Sequence, residues 1–274
     1  EYDAVSYSGM LLANEATYGK KAIPSYHFDN AKVIVSLGAD FLGTWLSPEI
    51  HAKQYSKGRK ISAKNATMSK HYQIEGMMSL TGGSADERYT CKPSQYGAVA
   101  LAILNALNGT PSGFSGNLGE AIGEIAKDLN TNKGNALVVC GSNDKQVQTV
   151  VNAINAAIGA LGITMTFGTT NNTKKGNDTE MNAFAEALKN GQVGAVMFYD
   201  CNPVYDSVHG KLIKDKLAGV ALSVSLNDKL DETSNLCKVV APSHHWLESW
   251  GDAEAHSGYI SLMQPTISPL FKTR

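Results

Sequence analysis

Short runs rich in valine and isoleucine alternate along the chain with longer segments whose apolar residues recur at helical spacing. That alternation predicts an α/β fold with parallel sheets flanked by helices. The runs place strands over residues 32–37, 60–63, 136–140, 163–167, 193–199, 220–226 and 238–241. Leu101, Leu104 and Leu107 mark one helix, in which the small residues Gly97, Ala98 and Ala102 permit close packing. Val147, Val150, Val151, Ile154, Ile158 and Leu161 follow the i, i+3, i+4, i+7 spacing of a single buried stripe. Ser142, Asn143 and Asp144 precede that second helix, where N-cap side chains belong. Phe184 and Leu188 mark a third, closed by Asn190 and Gly191. Residues 169–178, rich in asparagine, threonine, lysine and glycine, read as a polar surface loop and as the best internal hinge candidate. No internal repeat of fixed period interrupts this order.

Composition changes the picture little. With 43% hydrophobic and 18% charged residues over 274 positions, the chain can bury a substantial core and is not of the disordered class. A net charge of -1 gives no support to nucleic acid or an anionic membrane surface as a partner. No run approaches the roughly 18–20 apolar residues that span a bilayer, so no direct membrane insertion is expected. The chain starts at Glu1 without a signal-peptide pattern and stops at Arg274 without a helix stop. It is therefore expected to be an excised or matured fragment. A sheet left short of strands would expose an edge and favour homodimers of that fragment.

Chemistry-bearing patterns are sparse. Of the four cysteines, Cys91, Cys140, Cys201 and Cys237, none forms a C-x-x-C pair, and no histidine cluster completes a zinc pattern. The close thiolate spacing of an iron–sulfur site is also missing. Cys140 lies in an apolar run and reads as a buried, inert thiol. His244 and His245 are adjacent and do not share a helix face. No Ser-His-Asp order or G-x-S-x-G motif occurs, so no catalytic residue is assigned. Asp86-Glu87 and Asp231-Glu232 read as solvated loop carboxylates.

Three strand ends are better candidates, because open α/β sheets bind ligands beyond the carboxyl ends of their strands. The first carries Gly38, Ala39 and Asp40, with Gly43 completing a G-x-x-x-x-G spacing. Thr44-Trp45 follows where a P-loop needs Lys-Ser/Thr, which argues against triphosphate. The second carries Gly141, Ser142 and Asn143, and the third Asn202 and Pro203 within 199–206. From the residues alone, each is a plain turn or a nucleotide-facing loop.

Taken in order, these pieces resemble the molybdopterin oxidoreductases. Residues 28–40 are similar to that family's segment of an acidic residue, Ala-Asp-Val-Ile-Val and a strand-end glycine. Residues 85–98 are similar to its stretch containing Pro-Gly-Thr-Asp. Asn202-Pro203, Asp231-Glu232-Thr233, Val239-Val240-Ala241-Pro242 with Glu248, and Gln264-Pro265 follow its later order. The resemblance is closer still to the B subunit of alternative complex III, a bacterial quinol:cytochrome c oxidoreductase. It is carried by Ser36 to Trp45, Cys91 to Gly97 and Trp246 to Asp252.

The resemblance implies a Rossmann-like lobe over 30–192, like the family's third domain, and an incomplete second-domain-like lobe over 193–250. Residues 1–29 and 251–274 would then be connecting segments. It further implies that Gly38, Ala39 and Asp40 meet one guanosine end of the pterin dinucleotide, and that Asn202 and Pro203 face the other. Pro93, Ser94 and Gln95 would stand at the guanine contact. Here Pro-Ser-Gln-Tyr replaces the family's Pro-Gly-Thr-Asp, so the carboxylate is lost and Tyr96 is expected to fill the pocket. Ser8 lies where the serine-ligand variants hold molybdenum. The implied role is a cofactor-free scaffold within a periplasmic, membrane-associated respiratory complex, with iron–sulfur and membrane subunits as partners and no catalysis by the fragment alone. The alternative is the molybdopterin-guanine-dinucleotide-binding part of an active molybdenum reductase of the polysulfide or thiosulfate type.

Overall fold

The computed structural model describes residues 1–63 and 66–271. It is mixed α/β, with parallel sheets flanked by helices, and divides into two compact units: residues 7–175, and residues 1–6 with 176–274. The division falls inside the polar stretch 169–178 and not at 192/193.

The larger unit runs α1 (Ser8–Tyr18), β1 (Ile23–Tyr26), β2 (Val33–Leu37), α2 (Pro48–Arg59), β3 (Lys70–Glu75), α3 (Leu80–Gly83), β4 (Glu87–Thr90), α4 (Tyr96–Leu107), α5 (Gly116–Thr131), β5 (Ala136–Cys140), α6 (Lys145–Ala157) and β6 (Met165–Asn171). Its parallel sheet has the order β4-β3-β2-β5. Both faces are covered, as a parallel sheet requires. Val33, Val35 and Leu37 pack with Ile74 and Val138 against Val99, Ile103, Ile125 and Ile154 of the helices. Ile34, Leu137 and Val139 pack on the other face with Met10, Phe28, Phe41 and Trp45. β1 and β6 pair antiparallel.

The smaller unit runs α7 (Asp178–Lys189), β7 (Ala195–Phe198), α8 (Pro203–Asp206), α9 (Gly210–Lys216), β8 (Leu222–Ser225), β9 (Val239–Val240), β10 (Gly251–His256) and β11 (Tyr259–Met263). β7, β8 and β9 are parallel, in that order. Leu188, Phe198, Ile213, Leu217 and Val220 form its core on one face. On this sheet Met197 and Leu222 remain 64% and 48% exposed.

The predicted strands at 32–37, 136–140, 193–199, 220–226 and 238–241 form within a residue or two of their expected limits. The expected strand over 60–63 does not: the pairing partner of β2 is Lys70–Glu75. That segment alternates Tyr72 and Ile74 with His71, Gln73 and Glu75, so only one of its faces is apolar. The strand expected at 163–167 begins at Met165 and continues through Asn171, into the expected polar loop. The helical stripes also shift. Leu101 faces solvent at 48% exposure, while Tyr96, Val99, Ala100, Ala102 and Ile103 form the buried face of α4. Leu161 lies beyond the end of α6 and is 49% exposed. Neither end of the chain is mere connection, since residues 1–29 contain α1 and β1 and residues 251–274 contain the β10–β11 hairpin.

Candidate functional site

At the carboxyl end of the larger sheet, glycines allow the strand-end loops to pack on one another. Gly38 ends β2 with φ 64°, and its N–H donates to the Ile74 carbonyl at 2.8 Å. A Cβ placed there would lie 2.5 Å from the ring and hydroxyl of Tyr96. A Cβ at Gly141 would collide with the Gly38 carbonyl, and one at Gly9 with the backbone of Asn143. All these close approaches are made by the protein's own atoms. Tyr96 is buried, which pushes its hydroxyl pKa up, partly offset by a hydrogen bond with the backbone of Gly76.

The other predicted residues at this end are engaged within the fold. Ala39 is fully buried, and its carbonyl accepts from the Ser36 hydroxyl at 2.9 Å. Asp40 Oδ1 accepts from the Thr81 hydroxyl at 2.8 Å and the Thr81 N–H at 3.1 Å, and Oδ2 accepts from Thr44 at 3.2 Å. A side chain at Gly43 would strike that carboxylate, which accounts for the second glycine of the spacing without a phosphate. Pro93, Ser94 and Gln95 form an exposed 3₁₀ turn leading into α4, with Gln95 accepting from the Lys92 N–H at 3.0 Å. Ser8 is the first residue of α1 and is buried. The adjoining Gly9 N–H donates to Asn143 Oδ1 at 2.8 Å. Asp144 caps α6, as its position before the stripe predicts. Cys140 is buried and its thiol is pushed up to about 12 by desolvation, as the inert reading requires.

In the smaller unit the strand ends enclose a cleft of about 750 Å³. The turn after β7 brings Tyr199, Asp200 and Asn202 to it, and the turn after β8 brings Asn227 and Asp228. The segment after β9 brings His244, Trp246 and Trp250. Asn202 borders the cleft, but its amide is held. Oδ1 accepts from the Thr233 hydroxyl at 2.7 Å, and Nδ2 donates to Glu232 at 2.6 Å. Pro203 starts α8 and is buried. Asp231 anchors the second turn, accepting from Ser234 and Thr233 N–H groups at 2.7 and 3.0 Å. Burial raises its pKa, but these bonds and one from Asn227 outweigh that and hold the carboxyl below its ordinary value. Sequence reading missed Asn227, which lies in a polar turn without any distinguishing pattern. Trp246 to Asp252 were singled out only through the family resemblance. Among the described residues no group of three or more His, Cys, Asp and Glu side chains could hold a metal ion.

The molecule is thus an α/β chain with two strand-end regions of the kind that hold nucleotides in open sheets, one packed shut and one open. No protein-family profile matches it. Over 102 residues it is 33% identical to the menaquinone reductase, molybdopterin-binding-like subunit, of Nitratidesulfovibrio vulgaris, an alignment spanning 35% of this chain and 15% of that protein. Its fold is that of acetylene hydratase from Pelobacter acetylenicus, with TM-score 0.65 and 12% identity over 97% of this chain and 48% of that one. The formyltransferase/hydrolase complex of Methylorubrum extorquens is also similar in fold, with TM-score 0.60 and 12% identity, over 97% of this chain and 78% of the other. The likeness to molybdopterin oxidoreductases read from the sequence is thus matched over 102 residues by a relative named a molybdopterin-binding-like subunit.

Proposed function

We propose that the chain is part of a subunit in a quinol-linked respiratory complex, in which its larger unit acts as a cofactor-free scaffold. The observation that carries this reading is Tyr96, whose ring occupies the space over Gly38 where a nucleotide phosphate would approach the strand end. With Asp40 bonded to Thr81 and Thr44, the residues present do not fit the guanosine end of a pterin dinucleotide there. The curated relative is itself named a molybdopterin-binding-like subunit of a menaquinone reductase, which supports partner subunits and a quinone-linked setting. On this reading the parent lies on the periplasmic side of the membrane, beside iron–sulfur and membrane subunits.

Metal analysis and pterin fluorescence on the intact parent test the proposal. Neither molybdenum nor pterin is expected, and stoichiometric molybdenum would overturn the scaffold.

One observation favours the second reading, a guanine-dinucleotide-binding part of an active molybdenum reductase: the open cleft of the smaller unit is large enough for a nucleotide. That reading predicts saturable binding of guanosine monophosphate to the 274-residue chain, with Asn202 and Pro203 beside the ligand and Ser8 at the metal in the parent.

A further inference from the structure

The cleft of the smaller unit has a chemical character that the scaffold reading leaves unexplained. Five aspartates line it (Asp200, Asp206, Asp228, Asp231 and Asp252) against one lysine, Lys229. Three large aromatic side chains line it as well: Tyr199, Trp246 and Trp250, which are 70%, 62% and 71% exposed. Soluble proteins seldom leave so much aromatic surface together in water without a partner for it.

A third observation is independent of both. Asn227, another lining residue, is only 7% exposed. Its Nδ2 donates to the Cys201 carbonyl at 2.8 Å and to Asp231 Oδ2 at 2.7 Å, which fixes the orientation of the amide. Its Oδ1 is buried with no hydrogen-bond partner. A buried acceptor left without a donor costs stability, so such a group is retained where something else supplies the donor.

We propose that this cleft receives an arginine side chain presented by a basic segment of a partner polypeptide. A guanidinium suits the acidic and the aromatic lining at once. It carries several N–H donors in a planar fork, it pairs with carboxylates, and it stacks on tryptophan and tyrosine faces. A lysine ammonium offers charge without the planar stacking surface. An uncharged planar base offers no complement to five aspartates. Aromatic and arginine groups are also the side chains that dominate the energetics of protein interfaces. The proposal deepens the scaffold reading by giving the chemistry of a partner. The two fail separately, because molybdenum in the parent would overturn the scaffold without touching the cleft.

Calorimetric titration of the 274-residue chain with acetyl-Gly-Arg-Gly-amide, at low and at physiological salt, tests it. Saturable binding is expected, weakened severalfold when lysine replaces arginine and lost when citrulline, which keeps the shape but not the charge, replaces it. Trp250→Ala and Asp228→Asn change exposed side chains and are each expected to weaken binding about tenfold while leaving the far-ultraviolet circular dichroism unchanged. The proposal is overturned if the arginine peptide does not saturate, if citrulline binds equally well, or if both variants bind as the parent chain does. Free arginine amide binding as tightly as the peptide would assign the cleft to a small cation and overturn the polypeptide occupant. Competition by guanosine monophosphate would return the cleft to the nucleotide reading.

Discussion

Gly38 and Tyr96 show how a residue type can be read locally while its partner is indicated only by a resemblance over a distant segment. Glycine at a strand end signals a left-handed turn or the close approach of something, and both apply here, at φ 64° and under an aromatic ring. The approaching group lies 58 residues further along the chain, at the start of α4, and only the tertiary fold brings it there. Gly38→Ala is expected to cost roughly 1–3 kcal/mol for the left-handed backbone, with the clash added. In a Tyr96→Leu background the same change should cost about 1 kcal/mol less, because the clash is relieved. Urea denaturation of the four proteins measures this, and strictly additive costs would show that the ring does not press on Gly38. His71 gives a second test at this scale. It is fully buried, bonded through Nδ1 to the Tyr55 hydroxyl at 3.1 Å, and desolvation pushes it from an ordinary 6.5 down to about 4, partly offset by Gln73. The folded state thus resists protonation that the unfolded chain accepts. The stability His71 contributes is full above pH 6.5 and is lost as the pH falls towards 4, up to roughly 3 kcal/mol. Thermal melts at pH 7 and 4.5 should show a smaller acid loss for His71→Gln than for the unchanged protein.

Among the elements, β2 and β5 were legible because both of their faces are apolar, while β3 was not. Its second face carries His71, Gln73 and Glu75, and the Glu75 carboxylate is tolerable there because hydrogen bonds hold it. Glu75 accepts from Arg88 Nε at 2.7 Å, from the Ser79 hydroxyl at 2.7 Å and from Gln73 Nε2 at 2.9 Å. Burial raises its pKa, and these hydrogen bonds outweigh that, leaving the carboxyl below its ordinary value. The apolar/polar alternation of residues 70–75 does not by itself announce a strand stabilised by Ser79 and Arg88, and the strand expected at 60–63 does not form. Removing one partner of a buried pair leaves a charge uncompensated. Arg88→Met is therefore expected to destabilise the larger unit by about 3 kcal/mol at neutral pH. The deficit should shrink as the pH drops through the carboxylate range, where Glu75 can be protonated. Chemical denaturation of Arg88→Met at pH 7 and at pH 4 checks both points, and a pH-independent deficit would mean that packing, not charge, holds β4 to β3.

At the scale of the molecule, the two units are built to different standards, and this decides where the chain can yield. The sheet of the larger unit is buried on both faces by two extensive clusters. The three-stranded sheet of the smaller unit has a core cluster of five buried residues, with Met197 and Leu222 left largely exposed. Local opening costs least where few apolar contacts must break. Amides of β2 and β5 should therefore exchange with deuterium slowest, and those of β7, β8 and β9 much faster, in the unliganded chain. The resemblance carried by Trp246 to Asp252 marked part of the cleft, but the character of the site came only when three separate turns met beyond the strand ends. If a basic segment occupies that cleft, adding the arginine peptide should slow exchange in residues 199–202 and 226–231 and leave β2 and β5 unchanged. Equal exchange in the two sheets without peptide would mean that the smaller unit is as well stabilised as the larger. Slowing spread evenly over the chain would place the peptide's effect on global stability and not on the cleft.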